Sequence, residues 1–250
     1  MIIKINRKIQ LLILFLFFSL FIVIICLSSE KFIKSKDTNS DMPVNEAITF
    51  IVDPGHGGED GGTSSKSGIL EKDINLSISL NLKELLNLAG FNVIMTRDKD
   101  QLIYDEHLQT MRQKKVSDIR NRMKLIEESP NPILISVHQN HFENSEYCGT
   151  QVFFSKNNPQ SKLLANSIQY TVKEMLQNQN DRGIKSTGSE IYLLYHARIP
   201  AVMVECGFLS NESETALLKN EKYQSKMAFS VLCGILRYLE SNIPLQMEVK

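Results

Sequence analysis

The length, composition and charge of the chain exclude several classes of protein. Its 250 residues are 42% hydrophobic, with 28 basic and 28 acidic side chains and only 12 glycines and 7 prolines. Such a chain can bury a full core, so neither a disordered nor a low-complexity protein is expected. The first 28 residues hold three of the basic side chains and no acid, which leaves the rest of the chain mildly acidic. The sequence therefore contains no basic patch that would predict binding to nucleic acid.

An apolar run near the N-terminus predicts the compartment. Residues 11–27 are apolar except for Ser19, follow three positive charges and precede a polar stretch. This order predicts an export signal whose basic end, residues 1–10, stays in the cytoplasm. The segment 11–28 is either a signal anchor or a cleaved signal peptide. Its length and the lack of a clear cleavage site favour an anchor, so we expect a protein exported across the cytoplasmic membrane, either anchored to it or secreted.

The remainder of the chain is predicted to be a linker at 29–46, one domain at 47–243 and a tail at 244–250. Short runs rich in Val, Ile and Phe predict strands at 48–52, 91–96, 133–137, 150–154, 191–195 and 201–205. Helical periodicity predicts helices at 72–89, 113–128, 161–177 and 222–241. This alternation predicts an α/β fold, a single three-layer domain with a twisted, mostly parallel or mixed sheet of about six strands and helices on both faces.

The segment 72–89 fits two patterns. Every second residue from Ile74 to Leu82 is apolar, which is also typical of a half-buried strand. The length of the segment, an acid near its start and Gly90 directly after it favour a helix.

A glycine-rich loop follows the first predicted strand. Five of the eight residues from Gly55 to Gly62 are glycine, and His56 lies among them. Glycines let the backbone turn sharply and approach a ligand closely. The loop lacks the Lys-Ser/Thr ending of a phosphate-binding loop, so the histidine is its informative residue.

Two further residues join His56 as candidate metal ligands. His138 comes at the end of the predicted strand 133–137, and Glu71 lies at the start of the helix 72–89, where an acid could equally stabilise the helix dipole. Two imidazoles and one carboxylate would give zinc three protein ligands and leave a position for water, as in hydrolytic sites. The four cysteines have no Cys-x-x-Cys spacing and predict neither a disulfide framework nor a metal site.

Glu205 ends the predicted strand 201–205, where a carboxylate is poorly solvated. Such a position is costly unless the group has a partner or a chemical role. Beside a zinc-bound water, Glu205 could accept a proton and return it to a leaving amine. The alternative is an acid that satisfies the turn around Gly207.

Six blocks of this sequence closely resemble those of the zinc-dependent N-acetylmuramoyl-L-alanine amidases (amidase type 3 family). The resemblance spans about residues 47 to 241, and the blocks are 53–58, 71–76, 96–97, 135–140, 182–185 and 204–211. It implies one Zn²⁺ per chain held by His56, Glu71 and His138, with Glu205 as the catalytic carboxylate. It also implies that the substrate is a peptidoglycan glycan strand carrying stem peptides, cut between N-acetylmuramic acid and L-alanine.

Within that family, the polar segment 111–122, the anchor and the lack of wall-binding repeats are most similar to the sporulation branch. This likeness implies a role in forming the muramic-δ-lactam of the spore cortex, a place between the two membranes of the forespore, and an accessory sporulation protein as a candidate partner. His141 departs from the family pattern and is an alternative ligand to His138, although the strand alternation favours His138. Asn140, Arg182 and Lys185 are candidate substrate contacts, but Arg182 and Lys185 also fit solvated loop charges.

Other functions remain open at this point. The same zinc set would serve a peptide carboxypeptidase or a sugar deacetylase. A vegetative autolysin that separates daughter cells would share both the chemistry and the fold. A non-catalytic module that binds the wall or a partner protein is the remaining alternative, although it would have little reason to keep all four site residues.

Overall fold

The computed structural model describes residues 48–242, and these form one mixed six-stranded sheet covered by six helices. The strands are β1 (Thr49–Pro54), β2 (Asn92–Met95), β3 (Pro132–Asn140), β4 (Gln151–Phe154), β5 (Lys185–Ser186) and β6 (Ala201–Phe208). The helices are α1 (Glu71–Leu88), α2 (Met111–Glu128), α3 (Pro159–Met175), α4 (Tyr192–His196), α5 (Glu212–Leu218) and α6 (Glu221–Asn242).

The sheet has the order β2-β1-β3-β6-β4-β5. The strands β2, β1, β3 and β6 run parallel, β4 is antiparallel to β6, and β5 is parallel to β4. Both faces of the sheet carry helices, as the predicted α/β fold requires. The carboxyl ends of β1, β3 and β6 therefore meet at one edge, where open α/β sheets bind their ligands.

The core lies on both faces of the sheet because β1 alternates its side chains. Phe50 and Val52 belong to one apolar cluster with residues of α1, α3 and α6, whereas Ile51 belongs to a second cluster with residues of α2 and α4. All three β1 side chains are fully buried. The prediction of three layers with helices on both faces is thus confirmed.

The start and end of the helices follow local chemistry. The Thr110 hydroxyl accepts from the Gln113 backbone N–H at 3.3 Å, and the Gln113 side chain accepts from the Thr110 N–H at 3.2 Å, which forms a capping box before α2. A different helix, α1, ends at Leu88, and Gly90 follows its C-cap Ala89 with φ +88°. The doubtful segment 72–89 is therefore a helix, with glycine in the left-handed position that ends it.

Three elements differ from the sequence-based expectation. The predicted strand 191–195 is the short helix α4, which turns Leu193 and Leu194 into the second apolar cluster. The two-residue strand β5 and the helix α5 were not predicted, although Asn211 caps α5 by accepting from the Glu214 N–H at 3.0 Å. A five-residue apolar run fits a short buried helix as well as a strand, so its periodicity alone could not decide.

The predicted segments at both ends of the chain lie outside the described residues. These are the basic end 1–10, the anchor or signal peptide 11–28, the linker 29–46 and the tail 244–250. Within residues 48–242, no helix combines the length and the hydrophobicity that a membrane span needs.

Candidate metal centre

His56, Glu71 and His138 converge at the carboxyl edge of the sheet. Each offers one ligand atom, and these atoms lie within 4.8 Å of one another. His56 follows β1, Glu71 is the first residue of α1, and His138 lies in β3, which pairs with β1 in parallel. Residues 82 positions apart in the chain thus share one site because adjacent parallel strands end together.

The Glu71 carboxylate joins the two imidazoles. Its Oε1 lies 2.9 Å from His138 Nδ1, and its Oε2 lies 3.2 Å from His56 Nε2. Burial opposes ionisation, but these two histidines hold the pKa of Glu71 well below its usual range. The buried carboxylate also accepts from the Thr63 N–H at 2.9 Å and the Gln139 N–H at 3.1 Å. These bonds fix its orientation.

His56 lies in a left-handed conformation, with φ +62°. Its Nδ1 is 2.9 Å from Asp60 Oδ2, while Nε2 faces Glu71. Burial lowers its pKa, but the hydrogen bonds to Asp60 and Glu71 outweigh this and raise the pKa of His56 to about 9. Each ring nitrogen of His56 thus faces one carboxylate.

Two glycines leave the space that the imidazoles occupy. A Cβ on Gly55 would lie 2.1 Å from His138 Cε1, and one on Gly62 would lie 2.5 Å from Glu71 Oε2 and 2.7 Å from His56 Cδ2. Such distances are far inside van der Waals contact. These glycines of the 55–62 loop therefore serve the close packing of the three candidate ligands.

Two buried arginines hold the backbone of this loop. Arg122 of α2 donates to the Pro54 and His56 carbonyls at 2.7 Å each, and Arg97 donates to the Gly55 carbonyl at 2.9 Å. Arg122 Nη1 also lies 2.7 Å from Asp53 Oδ1. Burial alone would raise the pKa of Asp53, but Arg122 and the hydroxyls of neighbouring side chains lower it to about 2.

Glu205 lies opposite His138 in the β3–β6 register. Its Oε2 atom is buried and has no hydrogen-bond partner in the described chain. Burial raises the pKa of Glu205 to about 7. A carboxyl group with this pKa can both accept and donate a proton near neutral pH.

Two of the three candidate ligands share a cleft of about 490 Å³ with Glu205. His56, His138 and Glu205 lie in it, while Ile119 of α2 and Leu193 of α4 contribute apolar surface. Two imidazoles and a poorly solvated carboxyl group line one open cleft, and Glu71 contacts both imidazoles. This combination of side chains is what metal-assisted hydrolysis requires.

A family model described as N-acetylmuramoyl-L-alanine amidase matches residues 50–237. The chain belongs to this family. The match contains all six sequence blocks on which the predicted resemblance rests, so that resemblance is confirmed.

Individual relatives agree with the family. A germination-specific N-acetylmuramoyl-L-alanine amidase of Bacillus subtilis (strain 168) is 36% identical over 197 residues, which cover 79% of this chain and 81% of the relative. Among solved structures, the CwlD amidase from Clostridioides difficile in complex with the GerS lipoprotein is 42% identical, with a TM-score of 0.75, and the match covers 78% of this chain and 99% of that one. An N-acetylmuramoyl-L-alanine amidase from Clostridium difficile 630 is 33% identical, with a TM-score of 0.67 and coverages of 78% and 98%. The protein is thus an N-acetylmuramoyl-L-alanine amidase, and the predicted activity is confirmed.

The structure separates the two neighbouring histidines of the amidase. His138 lies in the cluster, whereas His141 is exposed and its backbone N–H donates to Asn140 Oδ1 at 2.8 Å. The Asn140 side chain thus closes a local turn, and Asn140 is not among the residues that line the 490 Å³ cleft.

The other two candidate substrate contacts of the amidase also lie beyond the cleft. The Arg182 guanidinium is 4.9 Å from the Phe208 ring centroid and donates to Gln151, which pairs with Glu205 across the sheet. Lys185 is exposed on β5, with Nζ 5.8 Å from the Phe153 ring centroid.

Some residues that support the site were not predicted. The sequence patterns indicate only that Asp60 belongs to the glycine-rich loop and that Arg122 belongs to a polar segment. An acid four residues after a candidate ligand was the available signal for Asp60. The spacing of Asp118 and Arg122 allows an ion pair within α2, but no local pattern marks the pairing of Arg122 with Asp53, which is 69 residues away.

Proposed function

We propose that the amidase holds one Zn²⁺ with His56, Glu71 and His138. Two imidazole nitrogens and one carboxylate oxygen suit zinc better than the all-oxygen sites of magnesium or calcium. The three ligand atoms within 4.8 Å carry this proposal, together with the bonds that already fix the Glu71 carboxylate. Bound zinc supplies a Lewis acid that polarises the scissile carbonyl and makes water more acidic.

In this proposal Glu205 moves the proton. The reaction cleaves the amide between the lactyl group of N-acetylmuramic acid and L-alanine. The attacking water must lose a proton and the alanine nitrogen must gain one. Glu205 has a buried Oε2 with no hydrogen-bond partner among residues 48–242 and a pKa of about 7, which suits it to accept the first proton and return the second.

Metal content tests the ligand assignment. We expect the full-length protein to contain one zinc per chain by atomic absorption, and the chelator-treated protein to regain amidase activity with added zinc. Amidase activity that is undiminished in protein stripped of all metal would contradict the proposal.

Asn140, Arg182 and Lys185 remain proposed substrate contacts outside the cleft. Arg182 is the best placed of the three, because its partner Gln151 lies directly opposite Glu205. A planar guanidinium there would bind a carboxylate of the stem peptide. We expect Arg182→Met to raise KM for peptidoglycan more than Lys185→Met does.

We further propose that the amidase acts on spore cortex and takes part in forming muramic-δ-lactam. The likeness to a relative called germination-specific, at 36% identity over most of both chains, supports this role. Export by the N-terminal segment would bring the domain to that compartment, anchored to the membrane or released. An accessory lipoprotein is a candidate partner, since the CwlD structure holds one.

Muropeptide analysis of purified spores tests the cortex role. A deletion strain should grow and divide normally and form spores whose cortex lacks muramic-δ-lactam. Unchanged lactam content, or chains of unseparated cells during growth, would favour a vegetative autolysin and leave the amidase chemistry untouched.

A further inference from the structure

The two imidazoles of the candidate metal centre are supported in different ways. His138 lies on a strand, packs against Gly55 and points Nδ1 at Glu71. His56 lies on a loop, in a left-handed conformation between Gly55 and Gly57. A histidine on a glycine-rich loop needs a further contact to hold its ring at the angle that a metal requires.

Asp60 provides that contact. The backbones of Gly57 and Asp60 exchange two hydrogen bonds of 2.9 Å, which fold the loop back on itself. The turn brings Asp60 Oδ2 within 2.9 Å of His56 Nδ1. An ionised carboxylate only accepts hydrogen bonds, so Nδ1 must carry the proton. In the neutral imidazole the lone pair is then on Nε2, the nitrogen that faces Glu71 at 3.2 Å.

A lysine of α2 holds Asp60 in turn. Lys115 Nζ lies 2.7 Å from Asp60 Oδ1, so the two oxygens of one carboxylate connect the helix with the imidazole. The Asp60 side chain is only 13% exposed, whereas that of Lys115 is 51% exposed. The contact between Asp60 and His56 is therefore the better shielded of the two.

We propose that Asp60 is a positioning residue that fixes the tautomer and the ring orientation of His56 for zinc. This inference rests on the proposed metal site and adds a residue that acts on the metal only through His56. Lys115 supports Asp60 and makes the smaller contribution.

The neighbouring acid gives a matched control. Glu59 also forms an ion pair with α2, since its carboxylate accepts from Lys114 Nζ at 2.8 and 3.0 Å. Its side chain is 58% exposed and has no contact with His56 among the described contacts. Glu59→Gln removes the charge of a similar ion pair between loop and helix and leaves the contacts of the imidazole unchanged.

Zinc affinity tests the proposal, measured on the full-length protein by competition with a chromophoric chelator. We expect Asp60→Ala to weaken binding by roughly 10–100-fold and Glu59→Gln to leave it unchanged. Asp60→Asn keeps an oxygen that can accept from Nδ1–H, so it should retain part of the affinity, although it loses the ion pair with Lys115 as fully as alanine does. A higher zinc affinity in Asp60→Asn than in Asp60→Ala would therefore come from the positioning of the His56 ring and not from the stability of the loop.

A second readout follows the metal itself. The visible absorption spectrum of the Co²⁺-loaded protein should change in Asp60→Ala and match that of the wild type in Glu59→Gln. Only Asp60→Ala removes the hydrogen bond that holds the imidazole ring of His56. Equal zinc affinity and equal spectra in Asp60→Ala and Glu59→Gln would overturn the proposed role of Asp60 and leave the proposed metal site standing. Failure of the wild-type protein itself to bind zinc would overturn the proposed metal site as well.

Discussion

Glu205 differs from the three candidate ligands in its surroundings. Glu71 has two imidazole partners and an unusually low pKa, whereas Glu205 has a buried oxygen that no other described residue contacts by a hydrogen bond and a pKa raised to about 7. Two carboxylates close to the same imidazoles thus have opposite environments. Such a separation of pKa values is how active sites assign different tasks to similar groups.

The Glu205→Gln variant tests this division of tasks. Glutamine keeps the size of the side chain but cannot take the proton, so amidase turnover should fall by roughly 10²-fold or more while zinc content stays the same. Turnover is measured by release of free amines from peptidoglycan, and zinc by atomic absorption on the same samples. Loss of zinc from the variant would make Glu205 a ligand and contradict the assigned role.

The ligand assignment is tested by two histidines three residues apart. His138→Ala should lose most of its zinc, because it removes one of three ligands, whereas His141→Ala should keep it, because His141 is exposed outside the cluster. His56→Ala and Glu71→Ala should behave like His138→Ala. Retention of zinc in His138→Ala with loss in His141→Ala would reverse the assignment.

The candidate site residues can be proposed from the sequence, but their supports cannot. His56, Glu71, His138 and Glu205 each lie at or near the end of a predicted strand or helix and carry reactive groups, so local patterns single them out. Gln139 and Thr63 fix Glu71 through backbone N–H groups, which every residue except proline possesses. No side-chain pattern can mark such contacts.

At the scale of elements, a buried ion pair joins α2 to the end of β1, directly before the site loop 55–62. Arg122 and Asp53 are both about 2% exposed and are joined at 2.7 Å, and Arg122 also donates to Asp118 at 2.8 Å. Removing one partner of a buried pair leaves the other charge uncompensated. The pair therefore makes the position of the loop depend on a helix that starts 58 residues later in the chain.

Arg122→Met should lower the free energy of unfolding by about 3–5 kcal/mol, measured by urea denaturation. Arg120→Met is the control, since Arg120 lies on the same helix but is exposed, and it should change stability by less than about 0.5 kcal/mol. Equal stabilities of the two variants would contradict the structural role given to Arg122.

The Arg122–Asp53 pair also predicts how the free energy of unfolding depends on pH. The folded-state pKa of Asp53 is about 2, below the ordinary 3.8, because Arg122, Ser136 and Thr96 stabilise the carboxylate against the effect of burial. Its contribution is fully present above about pH 4 and is lost as the pH falls towards 2. From this shift the contribution is about 2 kcal/mol.

Comparison with Asp53→Asn isolates that contribution from those of other acids. The stability difference between wild type and variant, from urea unfolding of chelator-treated protein, should be constant between pH 5 and 7 and shrink as the pH falls from about 4 to 2. A difference that does not change over that acidic range would contradict the low pKa of Asp53.

The strands and helices that could be predicted are those with a long or regular pattern. The strand β6 begins with the apolar run 201–204, and α6 has more than five turns of helical periodicity. The helix α4 has only five residues, and β5 only two, so tertiary contacts rather than local preference decide their form. Short elements are thus the part of this fold that sequence patterns leave undetermined.

At the scale of the whole molecule, the fold gathers its site from four distant segments at one sheet edge. The parallel strands β1, β3 and β6 lie side by side, so their carboxyl ends bring His56, His138 and Glu205 together, and α1 adds Glu71. The order of the strands was not predicted from sequence, because pairing between distant strands leaves no local pattern. The edge location was predicted, because it follows from α/β geometry in general.

The central claim is that this site hydrolyses the bond between muramic acid and L-alanine with the help of zinc and Glu205. Mass spectrometry of peptidoglycan digested by the full-length protein tests it most directly, with chelator-treated and Glu205→Gln protein as controls. We predict stem peptides with a free L-alanine N-terminus and glycan strands whose lactyl carboxylates are unsubstituted, from the zinc-loaded wild type alone. Release of single amino acids or of acetate, or undiminished peptide release after removal of the metal, would contradict the account.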